Sequence, residues 1–326
     1  MLEISNGGLS TTVQDTGRTG FFGMGIPTGG ALDLLSAYAA NLLVGNDASA
    51  AVLEATYTLP KFAVTVDCAM AVTGGSVDIT VNGQPAPSWT TLRLHAGDAL
   101  SFSVSRSGPR AYLAFSGGID VPSVFSSRST YLAGSLGGYQ GRKLQPGDLV
   151  PLGGQGSLPT ANLEVPDEFR LPARKTDEVR VVACLHVDRL ARHSYDDFYG
   201  AEWKLTPLGD RSGLRYAGPK IEWTITENVF GAGSDPSNIV DAGYPLGAIE
   251  IPGGNDPILL HRDAPTMGGY AMVGVTARAD MDLVGQHMPG ENVRFVAVTR
   301  LQALEAWRTY RDQFARLRGA LRAVAG

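Results

Sequence analysis

The sequence has few charged residues, no basic block and no long apolar run, and each absence excludes a class of protein. Charged residues make up 18% of the 326 residues, below the roughly 25% of an average soluble domain. No run of about 18 apolar residues occurs, so we expect no membrane-spanning helix. The net charge is −5, and without a basic block nucleic-acid binding is not expected.

Cysteine is also scarce. Cys68 and Cys184 are the two cysteines, and neither belongs to a Cys-x-x-Cys motif. This pattern favours two buried free thiols in a reducing cytosol over a disulfide. The start, Met1-Leu-Glu-Ile4, lacks a charged region followed by an apolar one, so we expect a cytoplasmic protein without a signal peptide.

Familiar nucleotide, hydrolase and metal motifs are missing as well. The glycines between Gly20 and Gly30 lack the G-x-G-x-x-G spacing, no P-loop occurs, and Ser212 does not lie in a G-x-S-x-G elbow. Five histidines show no clear metal-ligand spacing. The trio His261, Asp263 and His287 is the one plausible set, and we expect no metal site.

Glycine, in contrast, is abundant. The 41 glycines are nearly twice the usual share of about 7%, which indicates many tight turns and a β-rich protein. Short alternating or apolar segments on both sides of residue 160 predict strands. They include segments 62–66, 77–81, 99–104, 110–115, 179–183, 221–225, 248–251, 258–260 and 293–298. Asn82-Gly83 predicts a tight hairpin.

Helices are few. Apolar spacing predicts one helix over 30–43, a second over 187–198 and an amphipathic helix over 299–326. The segment 159–177 is rich in proline, glycine and charge, so it is predicted to link two domains. We therefore expect domains at 1–158 and 178–298, followed by the C-terminal helix.

Three turns resemble one another. They are His95-Ala-Gly-Asp98, Gln145-Pro-Gly-Asp148 and Met288-Pro-Gly-Glu291, and each is followed by an apolar strand. Glycine supplies the positive φ that such a turn needs. An internal duplication and the general frequency of these turns in β proteins explain the pattern equally well.

Polar residues surrounded by glycine are the candidates for chemistry. They lie in five loops: 14–20, 127–142, 210–215, 234–238 and 263–270. Arginine's planar fork suits carboxylates, and main-chain N–H groups flanked by glycine suit oxyanions. The competing interpretation, which we favour for Arg18, Arg128, Arg211 and Arg215, is that arginine pairs with aspartate to tie β loops together.

With these loops the sequence resembles the biotin-dependent carboxyltransferase family, which includes subunit 2 of allophanate hydrolase, the C subunit of 5-oxoprolinase and the central part of urea carboxylase. The matching blocks are Gln14-Asp-Thr-Gly-Arg18 through Asn46, 127–148, 210–215 and 257–290. The segment 234–238 resembles an insertion of the urea carboxylase branch, with Asp235 where histidine is usual. Two segments differ in sequence from the corresponding motifs of many family members: Gly209-Asp-Arg-Ser-Gly213 and 262–270. These differences favour the urea carboxylase branch.

The resemblance implies two cyclophilin-like β-barrel domains and a partner, subunit 1 (B), built of similar barrels. It implies transfer of a carboxyl group from carboxybiotin to a urea-like or lactam-like nitrogen of a small-molecule substrate. Ala69-Met70-Ala71-Val72 lacks the lysine of a biotin attachment site, so no biotin is expected on this chain. Biotin carboxylase and biotin carrier would act in trans, and this polypeptide would not be a self-sufficient enzyme.

Two alternatives remain from the same resemblance. The chain is the C subunit of a 5-oxoprolinase, which hydrolyses a lactam with ATP and partner subunits, or it is a non-catalytic protein that antagonises a kinase inhibitor by binding it.

The resemblance also suggests roles for individual residues. We expect Asn238 and the N–H groups of Gly268 and Gly269 to stabilise an oxyanion. Asp263 or His261 would move the proton of the substrate nitrogen, although Asp263 is equally well explained as a turn cap. Arg142 would hold a carboxylate, and the remaining substrate- or biotin-binding candidates are Gln14, Arg18, Ser237, Thr266 and Tyr270.

Overall fold

The computed structural model describes residues 1–154, 158–170, 176–224, 230–254 and 256–324, and they are mainly β-structure. In chain order the strands are β1 (Leu2–Asn6), β2 (Ser10–Gln14), β3 (Val52–Thr56), β4 (Lys61–Val64), β5 (Cys68–Gly74), β6 (Ile79–Val81), β7 (Gln84–Ala86), β8 (Leu92–Leu94), β9 (Ala99–Phe102), β10 (Arg110–Phe115), β11 (Leu149–Val150), β12 (Asn162–Glu164), β13 (Thr176–Ala183), β14 (Trp203–Gly209), β15 (Gly213–Ala217), β16 (Asn238–Gly243), β17 (Ala248–Glu250), β18 (Ile258–Leu260), β19 (Met267–Tyr270), β20 (Met272–Thr276), β21 (Asn292–Ala297) and β22 (Arg322–Val324). The α-helices are α1 (Leu34–Leu43), α2 (Arg192–Gly200), α3 (Met281–Gly285) and α4 (Arg300–Ala320).

The chain divides into two compact units. The first comprises Met1–Thr19, Gly29–Pro172 and Asp312–Gly326, and the second comprises Gly20–Thr28 and Ala173–Arg311. The main boundary falls inside the predicted linker 159–177. The predicted domain bounds of 1–158 and 178–298 stay a prediction.

The first unit encloses its core between two antiparallel sheets. Their strand orders are β11-β1-β4-β9-β6-β7 and β2-β3-β10-β5-β8. Strand β10 is buried along its whole length, because Leu113 and Phe115 face the core between the sheets while Tyr112 contributes to a second cluster with α1. Cover on both faces explains why β10 reads as a continuous apolar run.

Local turn signals in the first unit form as predicted. Asn82 and Gly83 have φ of 51° and 79° and join β6 to β7, where Val81 pairs with Gln84. Two successive positive φ values are the requirement of a type I′ hairpin.

The three similar turns share their geometry too. Gly97, Gly147 and Gly290 have φ of 96°, 90° and 94°. In each turn a carboxylate accepts a hydrogen bond from the N–H three residues earlier. The distances are 2.7 Å for His95 to Asp98, 2.7 Å for Gln145 to Asp148 and 2.8 Å for Met288 to Glu291. The same capped turn therefore occurs in both units.

The second unit is a closed barrel of the strands β13-β20-β17-β18-β15-β14-β21. Its core contains Trp203, Tyr216 and Phe295, and Phe198 of α2 stacks on Phe295 with ring centroids 5.0 Å apart. The strand predicted over 221–225 is wrong for residues 221–224, where the one β-contact is an isolated bridge between Leu190 and Trp223. Ile225 lies outside the described residues.

The helix predicted over 187–198 is divided in two. A 3-10 turn covers Val187–Arg189, and α2 begins only at Arg192. Ala191 N donates to Glu222 O at 2.9 Å, so this residue bonds across to another segment before the helix starts.

The C-terminal amphipathic helix predicted over 299–326 is present but ends at Ala320, because Arg322–Val324 form β22 instead. Its residues are divided between the two units. In the second, Tyr310 Oη donates to Asp282 Oδ2 at 2.6 Å. In the first, Phe314 lies 5.0 Å from the Tyr38 ring between centroids, and β22 pairs with β12. The predicted fold class, mainly β with barrel structure and a C-terminal helix, is confirmed.

Both cysteines are free thiols, and the helices are too short or too polar to span a membrane within the described residues. Cys68 is buried, Cys184 is half-buried and both are free; burial raises the pKa of the Cys68 thiol to about 11. Within the described ranges, no helix combines the length and apolarity needed to cross a membrane.

The buried cap of α1 leads to the first prediction. Asp33 accepts hydrogen bonds from Ser36 N at 2.9 Å and Ser36 Oγ at 2.6 Å, which explains why the helix starts at Leu34. Replacing Asp33 by alanine should lower stability by about 1–2 kcal/mol, because an N-cap is lost. Thermal unfolding of D33A would show it. The exposed Asp47 provides the control, and equal midpoints for D33A and D47A would contradict the role of the cap.

Candidate functional site

The predicted site residues lie in both units, in several separate clusters. One cluster of the first unit is built around Asp15. Its Oδ1 accepts hydrogen bonds from Gly17 N at 2.8 Å and Ser127 Oγ at 2.7 Å, and its Oδ2 accepts one from Arg128 N at 2.6 Å. This carboxylate therefore ties the loop after β2 to the loop that starts at Ser127.

Gln14 and Arg18 lie inside this pair of loops. Gln14 is fully buried, and its Nε2 donates to Thr130 O at 3.1 Å. Arg18 is 1% exposed, and its guanidinium donates to Ser129 O. A Cβ at Gly137 would lie 2.2 Å from Ser129 O and 2.9 Å from Arg18 NH2, so glycine lets this loop approach both groups. Ligand contact by either side chain stays a prediction.

Arg142 already holds a carboxylate of its own chain. NH1 and NH2 donate to the two oxygens of Asp148 at 2.7 and 2.8 Å. The hydrogen bonds from Arg142 lower the pKa of Asp148 below its ordinary value. The predicted role of Arg142 toward a ligand would require that ligand to displace or share the Asp148 contact.

In the second unit, Asp263 forms a buried ion pair. Arg211 Nε and NH2 donate to its two oxygens at 2.8 and 3.1 Å, and the arginine and aspartate side chains are 9% and 4% exposed. Asp263 N also donates to Arg211 O at 3.1 Å. The arrangement matches the interpretation of arginine as a tie between loops, and proton transfer by Asp263 stays a prediction.

His261 is buried and both ring nitrogens contact the main chain. Nε2 lies 3.1 Å from Met281 O and Nδ1 accepts from Arg262 N at 2.9 Å. These partners define a neutral ring with its proton on Nε2. The cavity that His261 and Arg262 border measures about 10 Å³, which is about the room of one water. Proton transfer by His261 would need both contacts to open.

Four of the predicted residues lie in a two-stranded ribbon, β16–β19, and Ser237 directly precedes it. Asn238 pairs with Tyr270 and Ala242 pairs with Gly268, with a bulge between them. Ala271 N donates to Ser237 O at 2.7 Å. The residues brought together are Ser237, Asn238, Gly268, Gly269 and Tyr270. Thr266 precedes the ribbon, and its carbonyl accepts from Tyr244 N at 2.9 Å.

Asp235 shapes the start of this ribbon. Its Oδ1 accepts from Ser237 N at 2.9 Å and from Ser237 Oγ at 2.7 Å, and these bonds lower its pKa. Asn238 N donates to Asp235 O at 3.0 Å. The half-buried Asn238 carboxamide makes no hydrogen bond to any residue within the described ranges, which leaves its N–H groups able to meet a ligand oxygen.

Sequence reasoning missed two residues that hold the ribbon. Arg189 NH1 donates to Asn238 O at 3.0 Å. The Tyr244 hydroxyl accepts from Tyr270 N at 2.7 Å and donates to Tyr270 O at 2.8 Å. Arg189 lay in a segment predicted as helix, and Tyr244 follows a glycine in a loop, so neither carried a recognisable signal.

Two titratable groups lie close to the residues that hold the ribbon: Glu250 contacts Tyr244, and His186 lies near Arg189. Glu250 is buried, and burial raises its pKa above the ordinary value. His186 accepts a hydrogen bond from Met272 N at 3.2 Å, and burial, followed by the charge of Arg189, lowers its pKa. Over the part of the chain that the structure describes, no group of three His, Cys, Asp or Glu side chains is arranged to hold a metal ion.

Comparison with known proteins gives consistent results. The family model for the carboxyltransferase domain, subdomain A and B, matches residues 24–297. Urea amidolyase of Saccharomyces cerevisiae is 34% identical over 306 residues, 91% of this chain and 17% of that protein. The 5-oxoprolinase C subunit of Escherichia coli is 33% identical over 317 residues, 97% of each chain. The Kluyveromyces lactis urea carboxylase structure has a TM-score of 0.90 at 33% identity, covering 99% of this chain and 30% of that one.

The chain thus spans only 17% of the length of the Saccharomyces cerevisiae and Lachancea kluyveri urea amidolyases, but 97% of the length of the Escherichia coli protein.

The buried Arg211–Asp263 pair gives the second prediction. Asp263→Asn should lower the stability of the second unit by about 3–5 kcal/mol, because a buried arginine loses its charged partner. Asp196→Asn is the matched control, since its pair with Arg192 is exposed and such pairs contribute about 0–1 kcal/mol. Denaturant unfolding measures both. An unchanged D263N midpoint would show that the pair does not stabilise the fold.

Proposed function

This chain belongs to the carboxyltransferase domain family, subdomain A and B, and within that family we propose that it acts in carboxyl transfer from carboxybiotin to a urea-like or lactam-like nitrogen. The observation that carries the proposal is the ribbon β16–β19. It brings Asn238, predicted from sequence as a donor, beside the glycine segment that ends at Tyr270.

The residues of this ribbon fit a group that develops negative charge on oxygen. The Asn238 side-chain carboxamide can donate hydrogen bonds. Arg189 places a positive charge beside the main-chain carbonyl of Asn238. A donor aligned with such an oxygen in a dry site stabilises the transition state by about 2.7–4 kcal/mol. When bound, carboxybiotin would supply the carboxyl group, and Asn238 would hold the oxygen on which charge accumulates.

The two ribbon glycines make different contributions to this proposal. A Cβ at Gly268 would lie 2.5 Å from Tyr244 Cε2, so packing already requires glycine there. At Gly269 a Cβ would lie 3.3 Å from Ile239 O, which a small shift accommodates. Asn238 is therefore the more direct test of the proposed oxyanion site.

Biotin and its carboxylation would come from other polypeptides or domains. The segment 69–72, at the position compared with a biotin attachment motif, lies in β5, where Met70 and Ala71 are fully buried. A carrier lysine must be exposed to move between sites, so this strand suits no such role. We infer partners of three kinds: a subunit 1 (B), a biotin carboxylase and a biotin carrier.

A second candidate function is supported by the similarity to a 5-oxoprolinase subunit. The Escherichia coli 5-oxoprolinase C subunit is 33% identical over 317 residues, and the alternative is therefore ATP-dependent lactam hydrolysis together with partner subunits. The two functions differ in their need for biotin. Turnover that requires a biotinylated carrier supports carboxyl transfer, whereas ATP-dependent lactam opening that avidin does not inhibit supports the alternative.

The third prediction tests the proposed donor. In a complex reconstituted with its companion subunits, Asn238→Ala should reduce transfer of labelled bicarbonate to urea or a lactam by at least about tenfold. Asn292→Ala is the control, since Asn292 is an amide of the same unit that contacts Glu202 at 3.2 Å on the exposed side.

Subunit assembly, followed by gel filtration, should be the same for both variants. Unchanged turnover of N238A would remove Asn238 from the site, and loss of assembly in N238A alone would assign it a structural role instead.

A further inference from the structure

We propose that Tyr244 is a positioning residue that holds the Asn238–Tyr270 end of the ribbon from one edge, while Arg189 holds it from the other. The effect on turnover rests on the function proposed above. The effect on the ribbon itself does not.

The first step is the hydrogen-bond register of the ribbon. Ala271 N donates to Ser237 O, which makes Asn238 and Tyr270 a non-hydrogen-bonded pair of an antiparallel ladder. In such a pair the N–H and C=O of each residue point away from the partner strand. Any protein partners of these groups therefore lie beyond the ribbon.

Side chains supply those partners. At the outer edge of Tyr270, one hydroxyl serves both groups, since Tyr244 Oη accepts from the N–H at 2.7 Å and donates to the C=O at 2.8 Å. At the outer edge of Asn238, Arg189 NH1 donates to the C=O at 3.0 Å. Asn238 N–H is satisfied within its own turn by Asp235 O.

The Tyr244 hydroxyl is itself well placed. The residue is 3% exposed, and its ring packs so closely on Gly268 that a Cβ there would lie 2.5 Å from Cε2. Burial raises the pKa of Tyr244 above its ordinary value, so the hydroxyl stays protonated; it donates to Tyr270 O and also contacts the buried Glu250 carboxyl. Ring and hydroxyl together fix two successive parts of β19.

Loss of this hydroxyl would free the Tyr270 main chain without removing any group proposed to touch a ligand. A shift of the ribbon end moves Asn238 relative to a bound oxygen, and displacements of about 1 Å can cost up to about a hundredfold in rate. Tyr244 would thus act through the ribbon, and the deficit should be in kcat more than in KM.

Tyr244→Phe tests the inference, with Tyr199→Phe as the matched control. Tyr199 lies in the same unit, and its buried hydroxyl has no hydrogen-bond partner among the described residues. The two variants therefore remove the same atom, but only Y244F removes hydrogen bonds from the ribbon.

The first measurement is amide hydrogen exchange over 267–272 in the purified chain. Exchange at Tyr270 should rise about two- to tenfold in Y244F, the range expected when a hydrogen bond of net 0.5–1.5 kcal/mol is lost, and should not change in Y199F. Equal exchange in Y244F and wild type would overturn the proposal. This measurement does not depend on the function being carboxyl transfer.

The second measurement is turnover in the reconstituted complex. We expect kcat of Y244F to fall by about ten- to a hundredfold with KM changed little and with the thermal midpoint close to that of Y199F. Faster exchange with unchanged kcat would overturn the positioning role. A wild-type complex without biotin-dependent transfer would refute the proposed function. Hydrogen exchange alone would then test whether Tyr244 holds the ribbon.

Arg189→Gln gives an independent test from the opposite edge, with Arg192→Gln as control, because Arg192 is exposed and pairs with Asp196 on the surface of α2. R189Q should loosen the ribbon and reduce kcat as Y244F does, and R192Q should do neither. Wild-type exchange and kcat in R189Q would contradict the role assigned to Arg189.

Discussion

A two-stranded ribbon leaves the outer main-chain groups of both strands without ladder partners, and the candidate site depends on how this chain satisfies them. In a barrel each strand has neighbours on both sides, whereas β16 and β19 pair only with each other among the described strands. Tyr244 and Arg189 supply the missing partners at one end, and each such hydrogen bond contributes about 0.5–1.5 kcal/mol net. These contacts help to fix where Asn238 and Tyr270 lie.

The charged residues in the glycine-rich loops serve mainly to connect the chain to itself. Asp15 joins two loops of the first unit, Arg142 is paired with Asp148, and Arg211 is paired with Asp263. Each pair reduces the charge presented to a ligand. Glycine permits these contacts by letting the main chain approach the charged groups, as at Gly137 beside Arg18. Glycine-rich motifs with charged residues therefore indicate contacts that stabilise the fold as well as candidate functional residues.

The sequence predicts local features well and long-range partners poorly, for a physical reason. The Asn82-Gly83 turn follows from the backbone preferences of two neighbouring residues, and β10 is apolar because it is covered on both faces. The Arg211–Asp263 pair was foreseen as a type of contact but not with its partner, 52 residues away. The bond of Arg189 to Asn238 spans 49 residues and exists only once the ribbon has formed, so no periodicity or motif indicates it.

The partners of the titratable groups also bear on what this chain can supply to a reaction. His261 uses both ring nitrogens, and Asp263 is occupied by Arg211. Glu250 is buried, and burial raises its pKa above the ordinary value. The ribbon thus offers hydrogen-bond donors but no exposed base of these three. If carboxyl transfer takes place here, the proton of the substrate nitrogen passes to a group other than these three.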